Sequence, residues 1–116
     1  HYMTHFNSIK EIIINYKNLP YPGGIYIEAA KKEDYTSSKF WVLSNDEEMD
    51  QEFIETEYDE IPECLVKYNA MSFLDVGTFQ AIIDNKLEHN KDLSICNTDI
   101  LIKAIQYYLE EDDFQD

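Results

Sequence analysis

Apolar positions change period along this chain from helical to alternating and back. After Ile9 they fall at Ile12, Ile13 and Tyr16, the i, i+3, i+4, i+7 spacing of an amphipathic helix. Asn7 or Ser8 can cap its start, and Glu11, three residues after Ser8, has the capping-box spacing. The helix is expected to stop near Asn18, because Pro20, Pro22, Gly23 and Gly24 follow. The period then drops to two. Ile25-Tyr26-Ile27-Glu28-Ala29 alternates and is β-branched, which predicts a strand, with Gly23-Gly24 as the turn leading into it. The polar stretch Lys31 to Ser38 reads as a turn. Phe40-Trp41-Val42-Leu43 reads as a second strand, too apolar on both sides to be an exposed edge. The two strands are expected to form an antiparallel hairpin.

Beyond Leu43 the pattern weakens. Phe53, Ile54 and Tyr58 suit either a strand or a loop that docks on the core. Pro62 suits the first turn of a short helix ending near Asn69. Helical spacing returns at Phe79, Ile82, Ile83 and Leu87, with Asp75 placed to cap. A last helix starts at Asn97 or Thr98 and sets Leu101, Ala104, Ile105, Tyr108 and Leu109 on one face. Helix, small sheet, then helices predicts an α+β fold: a small antiparallel sheet packed with N-terminal and C-terminal helices, one domain over residues 3–116. His1 and Tyr2, ahead of Met3, read as a vector remnant.

Charge changes this picture more than any motif does. Between Asp46 and Glu60, nine of fifteen residues are acidic and none is basic. A second run, Glu110-Glu111-Asp112-Asp113, comes near the end. The formal charge is -15 on 116 residues, and all nine cations are lysines. Such concentration carries a self-repulsion cost, usually offset by solubility or by attraction to something strongly basic. Yet 44% of the residues are hydrophobic and 14% aromatic, which argues against a disordered acidic chain. A chain of this size buries roughly two-thirds of its unfolded surface, enough for a core. Cys64 and Cys96 lie outside any CxxC pair and read as buried thiols of a cytoplasmic protein. No run reaches the roughly 18 apolar residues of a membrane span, and no signal peptide is expected.

The usual catalytic and ligand patterns do not form. Paired-carboxylate catalysis needs two acids at fixed separation with one pKa raised by burial, whereas a crowded exposed run is normally solvated. His5 and His89 have no HxxxH or CxxC companion and read as surface histidines. Asp46, Glu48, Asp50, Glu52 and Glu57 occupy positions 1, 3, 5, 7 and 12 of a calcium loop, but Gln51 stands where the turn requires glycine. There is no GxSxG, neither cysteine has a nearby histidine, and Gly23-Gly24 has no phosphate-loop companions. Nucleic-acid binding is opposed, since phosphate contacts need clustered cations. Most of the tyrosines Tyr21, Tyr26, Tyr35, Tyr58, Tyr68, Tyr107 and Tyr108 are expected to pack against the core with the hydroxyl at the surface, with interface anchoring as the alternative for some, and Trp41 is expected to lie in the core. The expectation is a binder, not an enzyme, with no cofactor and no metal.

Several segments together carry a resemblance: Trp41-Val42-Leu43 before an acidic stretch, Ile61-Pro62, the run Phe73 to Asn85 (FLDVGTFQAIIDN), and Ala104-Ile105-Gln106-Tyr107-Tyr108. From Trp41 to Phe114 the chain resembles the small acidic immunity proteins encoded beside bacterial polymorphic toxins, including those of contact-dependent growth inhibition systems. The resemblance implies a cytoplasmic protein that binds and neutralises a cognate toxin domain, often a nuclease. It brings no catalytic residues.

Two binding readings follow. An immunity protein presents a compact acidic patch with aromatic anchors to one basic toxin domain. A nucleic-acid mimic spaces its carboxylates like phosphates along an extended face and binds many basic proteins. Met49, Phe53, Ile54 and Tyr58 interrupt the acid run, which favours the first. The expected toxin-binding residues are Asp46, Glu47, Glu48, Asp50, Glu52, Phe53, Glu55, Glu57, Tyr58 and Asp59. Their acids would complement the phosphate site of a nuclease, and Phe53 or Tyr58 would supply a desolvated anchor. The plain alternative is a solvated loop that keeps the protein soluble.

Overall fold

Two strands with apolar residues on both faces organise the molecule. Strand β2 (Gly23–Glu28) pairs antiparallel with β3 (Phe40–Ser44), setting Ile25 opposite Val42 and Tyr26 opposite Trp41. Phe40 to Leu43 are all buried, so β3 needs cover on both faces and neighbours on both edges. Strand β1 (Thr4–Phe6) supplies one neighbour. On the far side of β2 lies β6 (Ala70–Asp75), giving the antiparallel order β1-β3-β2-β6. The computed structural model describes residues 3–115. His1 and Tyr2, read above as a vector remnant, lie outside the described residues.

Three helices cover the first face: α1 (Ile9–Ile14), α3 (Val76–His89) and α4 (Thr98–Glu111). Their Ile12, Ile13, Phe79, Ile83, Leu101 and Ile105 pack on Ile25, Ile27, Phe40 and Val42 of the sheet. Two starts are set locally: Ser8 Oγ accepts from Glu11 N at 3.2 Å, and Asp75 Oδ1 from Thr78 N at 2.8 Å. Against the second face lie α2 (Asn45–Met49), the hairpin of β4 (Phe53–Glu55) and β5 (Glu60–Pro62), and a 3₁₀ segment over Glu63–Tyr68. Ile61 and Leu65 pack there on Tyr26, Trp41 and Leu43. Tyr68 stacks on Trp41 with ring centroids 4.9 Å apart.

The α+β class and the β2–β3 hairpin agree with the sequence pattern, as do the last two helices and the buried Trp41. Other elements differ. The first α-helix ends at Ile14 and continues as 3₁₀ through Tyr16–Asn18. Gly23 and Gly24 belong to the strand itself, and a Cβ on Gly23 would collide with the Leu43 carbonyl. The turn between β2 and β3 is built from two 3₁₀ segments, Ala29–Lys31 and Tyr35–Ser37. Pro62 ends β5, where it needs no N–H, and the helix expected after it is 3₁₀. Leu109 is exposed rather than on the buried face of the last helix. Cys96 is also exposed, in the Asn90–Asn97 connection, and Cys64 is only partly buried; both thiols are free.

Ile83 and Ile61 are each fully buried, one in each core. Ile83→Ala and Ile61→Ala should each destabilise the protein by about 2–5 kcal/mol in urea unfolding. A loss well below about 1 kcal/mol for Ile61→Ala would mean that the second layer is not part of the cooperative fold.

Candidate functional site

The acidic run is folded throughout. Ser44 ends β3 and caps α2 with a reciprocal pair: its Oγ accepts from Glu47 N at 3.1 Å, while Glu47 Oε1 accepts from Ser44 N at 2.8 Å. Asp46, Glu47 and Glu48 fill the first turn, where the helix dipole favours negative charge. The chain then turns, and Gln51 Oε1 accepts from Cys64 N at 3.1 Å while Glu52 O accepts from Glu63 N at 2.8 Å. These bonds tie the acid run to the 3₁₀ segment beneath it. Thr56 closes the hairpin tip, donating to Asp59 O from its N–H at 2.9 Å and its hydroxyl at 2.7 Å.

This framework sorts the side chains. Ile61 is buried and Ile54, its partner across the hairpin, is partly buried. Asp46, Asp50, Glu52, Glu55 and Glu57 are exposed. Glu47, Glu48 and Asp59 are half-buried, and two of them have structural partners. Glu47 holds the cap of α2. Glu48 accepts a short hydrogen bond from the Tyr26 hydroxyl. Among these acids stand three exposed apolar side chains, Met49 at 80%, Phe53 at 46% and Tyr58 at 39%. The Lys32 ammonium sits over the Tyr58 ring, 5.6 Å from its centroid. The ten residues expected to bind a partner therefore share one structural layer.

The Tyr26–Glu48 bond was not foreseen. Tyr26 lies in β2 between Ile25 and Ile27, so strand alternation sends it to the opposite face, under α2. It borders a cleft of about 340 Å³ with Gly24, Asn45, Glu48 and Asp75. A Cβ on Gly24 would lie 2.7 Å from Glu48 Oε2, so Gly24 leaves room for the carboxylate. Burial, then the hydrogen bond that its hydroxyl donates to Glu48, then the charges of Glu48 and Asp59 hold the Tyr26 phenol well above its ordinary value. Tyr16, bonded to Asp84 at 2.5 Å, shifts the same way, chiefly through burial. Burial and the charge of Glu110 push Tyr35 up to about 12. Tyr26 and Tyr35 are 4% and 5% exposed, so they stand apart from the tyrosines expected to keep the hydroxyl at the surface. Helix α2 had a signal in the sequence: Ser44-Asn45-Asp46-Glu47 carries the capping-box spacing.

The would-be calcium loop is occupied by α2 and the hairpin. Among the described residues no group of three or more His, Cys, Asp or Glu side chains is placed to hold a metal ion. His5 and His89 are both exposed. The second acid run ends α4, with Asp112 as its left-handed cap at φ 56° and no basic residue in the last turn. Among the described residues no helix is long and apolar enough to cross a membrane. Comparison with protein-family models, with characterised proteins and with solved structures gave no match to this chain.

The three tyrosines predict an alkaline transition. Each has a folded-state pKa above the unfolded value of about 10, so its contribution is complete below about pH 10 and is lost as pH rises. For Tyr35 that loss runs up to about 12, and for Tyr16 and Tyr26 it extends further. Stability to urea should hold up to about pH 10 and fall above it. Replacing Tyr26 with phenylalanine should make that fall shallower, and an unchanged slope in the variant would contradict the assignment.

Proposed function

We propose that this chain is an immunity protein that binds and neutralises a basic toxin domain, a nuclease in the fullest form of the reading. The observation that carries it is the make-up of the outer layer. Solvent-facing carboxylates surround Met49, Phe53 and Tyr58 on a helix and hairpin fastened to the sheet through Ile61 and Leu65. A layer meant only for solubility has no need of large exposed apolar side chains. An interface uses both classes. Charge speeds the encounter and selects the partner, whereas desolvated aromatic anchors slow dissociation.

A nuclease holds its substrate's phosphates with lysines and arginines. A fixed acidic platform complements such a site and would occlude it. The platform's rigidity limits the ordering cost of association. In this reading the chain acts by binding alone, in the cytoplasm where its target would otherwise act.

The test asks whether a toxin gene lies directly upstream of this gene, then co-expresses its toxin domain with the chain and measures growth and association kinetics. An upstream neighbour without toxicity would count against the reading. Asp46, Asp50, Glu52, Glu55 and Glu57 are the acids to reverse to lysine, because Glu47 and Glu48 hold the cap and the Tyr26 bond. Reversal should bring association towards the unsteered range of about 10⁵–10⁶ M⁻¹s⁻¹ and flatten its salt dependence, with circular dichroism unchanged. Phe53→Ala should instead raise the dissociation rate, weakening binding by about 2 kcal/mol. Unchanged association and protection in the reversed variant would reject this surface. Broad binding to many DNA-binding proteins would favour the nucleic-acid mimic.

A further inference from the structure

Helix α4 begins without the side-chain cap that Ser8, Ser44 and Asp75 give to α1, α2 and α3. Asn97 stands at its cap position, but the Asn97 Oδ1 accepts from Ser94 N at 2.8 Å, in the preceding turn. The Asn97 carbonyl accepts from Ile100 N at 3.1 Å and from Leu101 N at 3.2 Å. The N–H groups of Thr98 and Asp99 have no hydrogen-bond partner among the described residues. A helix start of this kind is ordinary by itself, because water can take the free N–H groups.

Thr98 is the second, independent observation. It is 9% exposed, yet its hydroxyl makes no hydrogen bond to a described residue. Buried hydroxyls are normally paired. This one is not sealed in, unlike the Tyr35 hydroxyl. Thr98 lines a cleft of about 410 Å³ with Lys10, Cys96, Asn97, Asp99 and Ile100, and a group entering that cleft can reach it.

The surroundings are net positive on a molecule of charge -15. Lys10 and Asp99 border this cleft, and together with Lys103 they border an adjoining one of about 500 Å³ between α1 and α4. No other charged residue lines either cleft. Lys103 follows Asp99 by four residues on α4, the spacing at which a lysine offsets an acid one turn earlier. That leaves the positive end of α4 and Lys10, which is exposed and makes no ion pair with a described residue. A cation is disfavoured by both. An apolar group would leave the two N–H groups and the hydroxyl unpaired. An oxyanion accepts from all of them and from the Lys10 ammonium. A phosphate fits this donor set better than a carboxylate, since it offers more oxygens and more charge.

We propose that the start of α4 binds a phosphate group, held by the N–H groups of Thr98 and Asp99, the Thr98 hydroxyl and Lys10. The site lies on α1 and α4, away from the acidic layer. The inference does not rest on the immunity reading, and either can fail without the other.

The full chain is titrated at constant ionic strength with inorganic phosphate, with phenyl phosphate and with acetate, while NMR follows the backbone amides of Thr98 and Asp99. Both phosphates should shift these amides saturably, with dissociation constants in the millimolar range. Tighter binding of phenyl phosphate would assign the site to a phosphate ester, and equal binding to the free ion. Thr98→Val should weaken phosphate binding roughly ten-fold while leaving the melting temperature unchanged or higher, since an unpaired hydroxyl is removed. Thr98→Ser, which keeps the hydroxyl, should bind as the original chain does. Lys10→Gln should weaken binding roughly five-fold and retain the fold. Equal affinity for acetate, shifts that do not saturate, or unchanged affinity in Thr98→Val would overturn the proposal.

Discussion

The structure depends on one constraint, the two-faced burial of β2 and β3. Four consecutive residues, Phe40 to Leu43, are withdrawn from water, and Tyr26 lies back to back with Ile25 and Ile27. A strand pair of this kind is stable only between two layers. The helices make one layer from ordinary amphipathic material. The other is made from the most acidic part of the chain together with the residues that follow it: Ile54 lies within the acid run, and Ile61 and Leu65 come directly after it. Burial of those few side chains holds the carboxylates on a fixed surface, and the acid run cannot behave as a loose solubilising tail.

Placement of charge follows from the same frame. Asp46, Glu47 and Glu48 sit at the positive end of α2, beside a cap that needs Glu47. The acids from Glu110 to Asp113 sit at the negative end of α4. One run supports its helix and the other works against it. The unfavourable run and the self-repulsion of a net charge of -15 must be outweighed by the two cores. Tyr35 is another local disadvantage, a buried hydroxyl without a hydrogen-bond partner among the described residues. Local features that disfavour the free fold are the places where a binding role is expected to leave its mark.

What was legible in the sequence divides along physical lines. Strong periodicity revealed α1, α3, α4 and the β2–β3 hairpin, because each buries a full stripe or face. Strand β6 was hidden by its bulge: Tyr26 pairs with Ser72 and Ile25 with Leu74, so Phe73 and Leu74 both pack on the helix side and the alternation breaks. Strand β1 has three residues, too few to show a period. The acidic segment was legible as a candidate site by charge alone, but its fold was left open between strand and loop. Its hairpin is short, and its stability comes from tertiary contacts of Ile61 with Tyr26, Trp41 and Leu43. The cleft at the start of α4 joins Lys10 of α1 to the end of the Asn90–Asn97 connection and the first turn of α4. No local pattern encodes that meeting.

Hydrogen exchange of the free protein tests the central claim, that the acidic segment is a fixed layer of the fold. The reporters are the amides of Thr56 and Glu63, which donate to Asp59 O at 2.9 Å and Glu52 O at 2.8 Å. Both should be protected by several orders of magnitude and should lose protection when Ile61 is replaced by alanine. Exchange at the rate of an unstructured peptide, with the β2–β3 amides still protected, would show that the acids ride on a mobile segment, and the account built on a rigid acidic platform would fail.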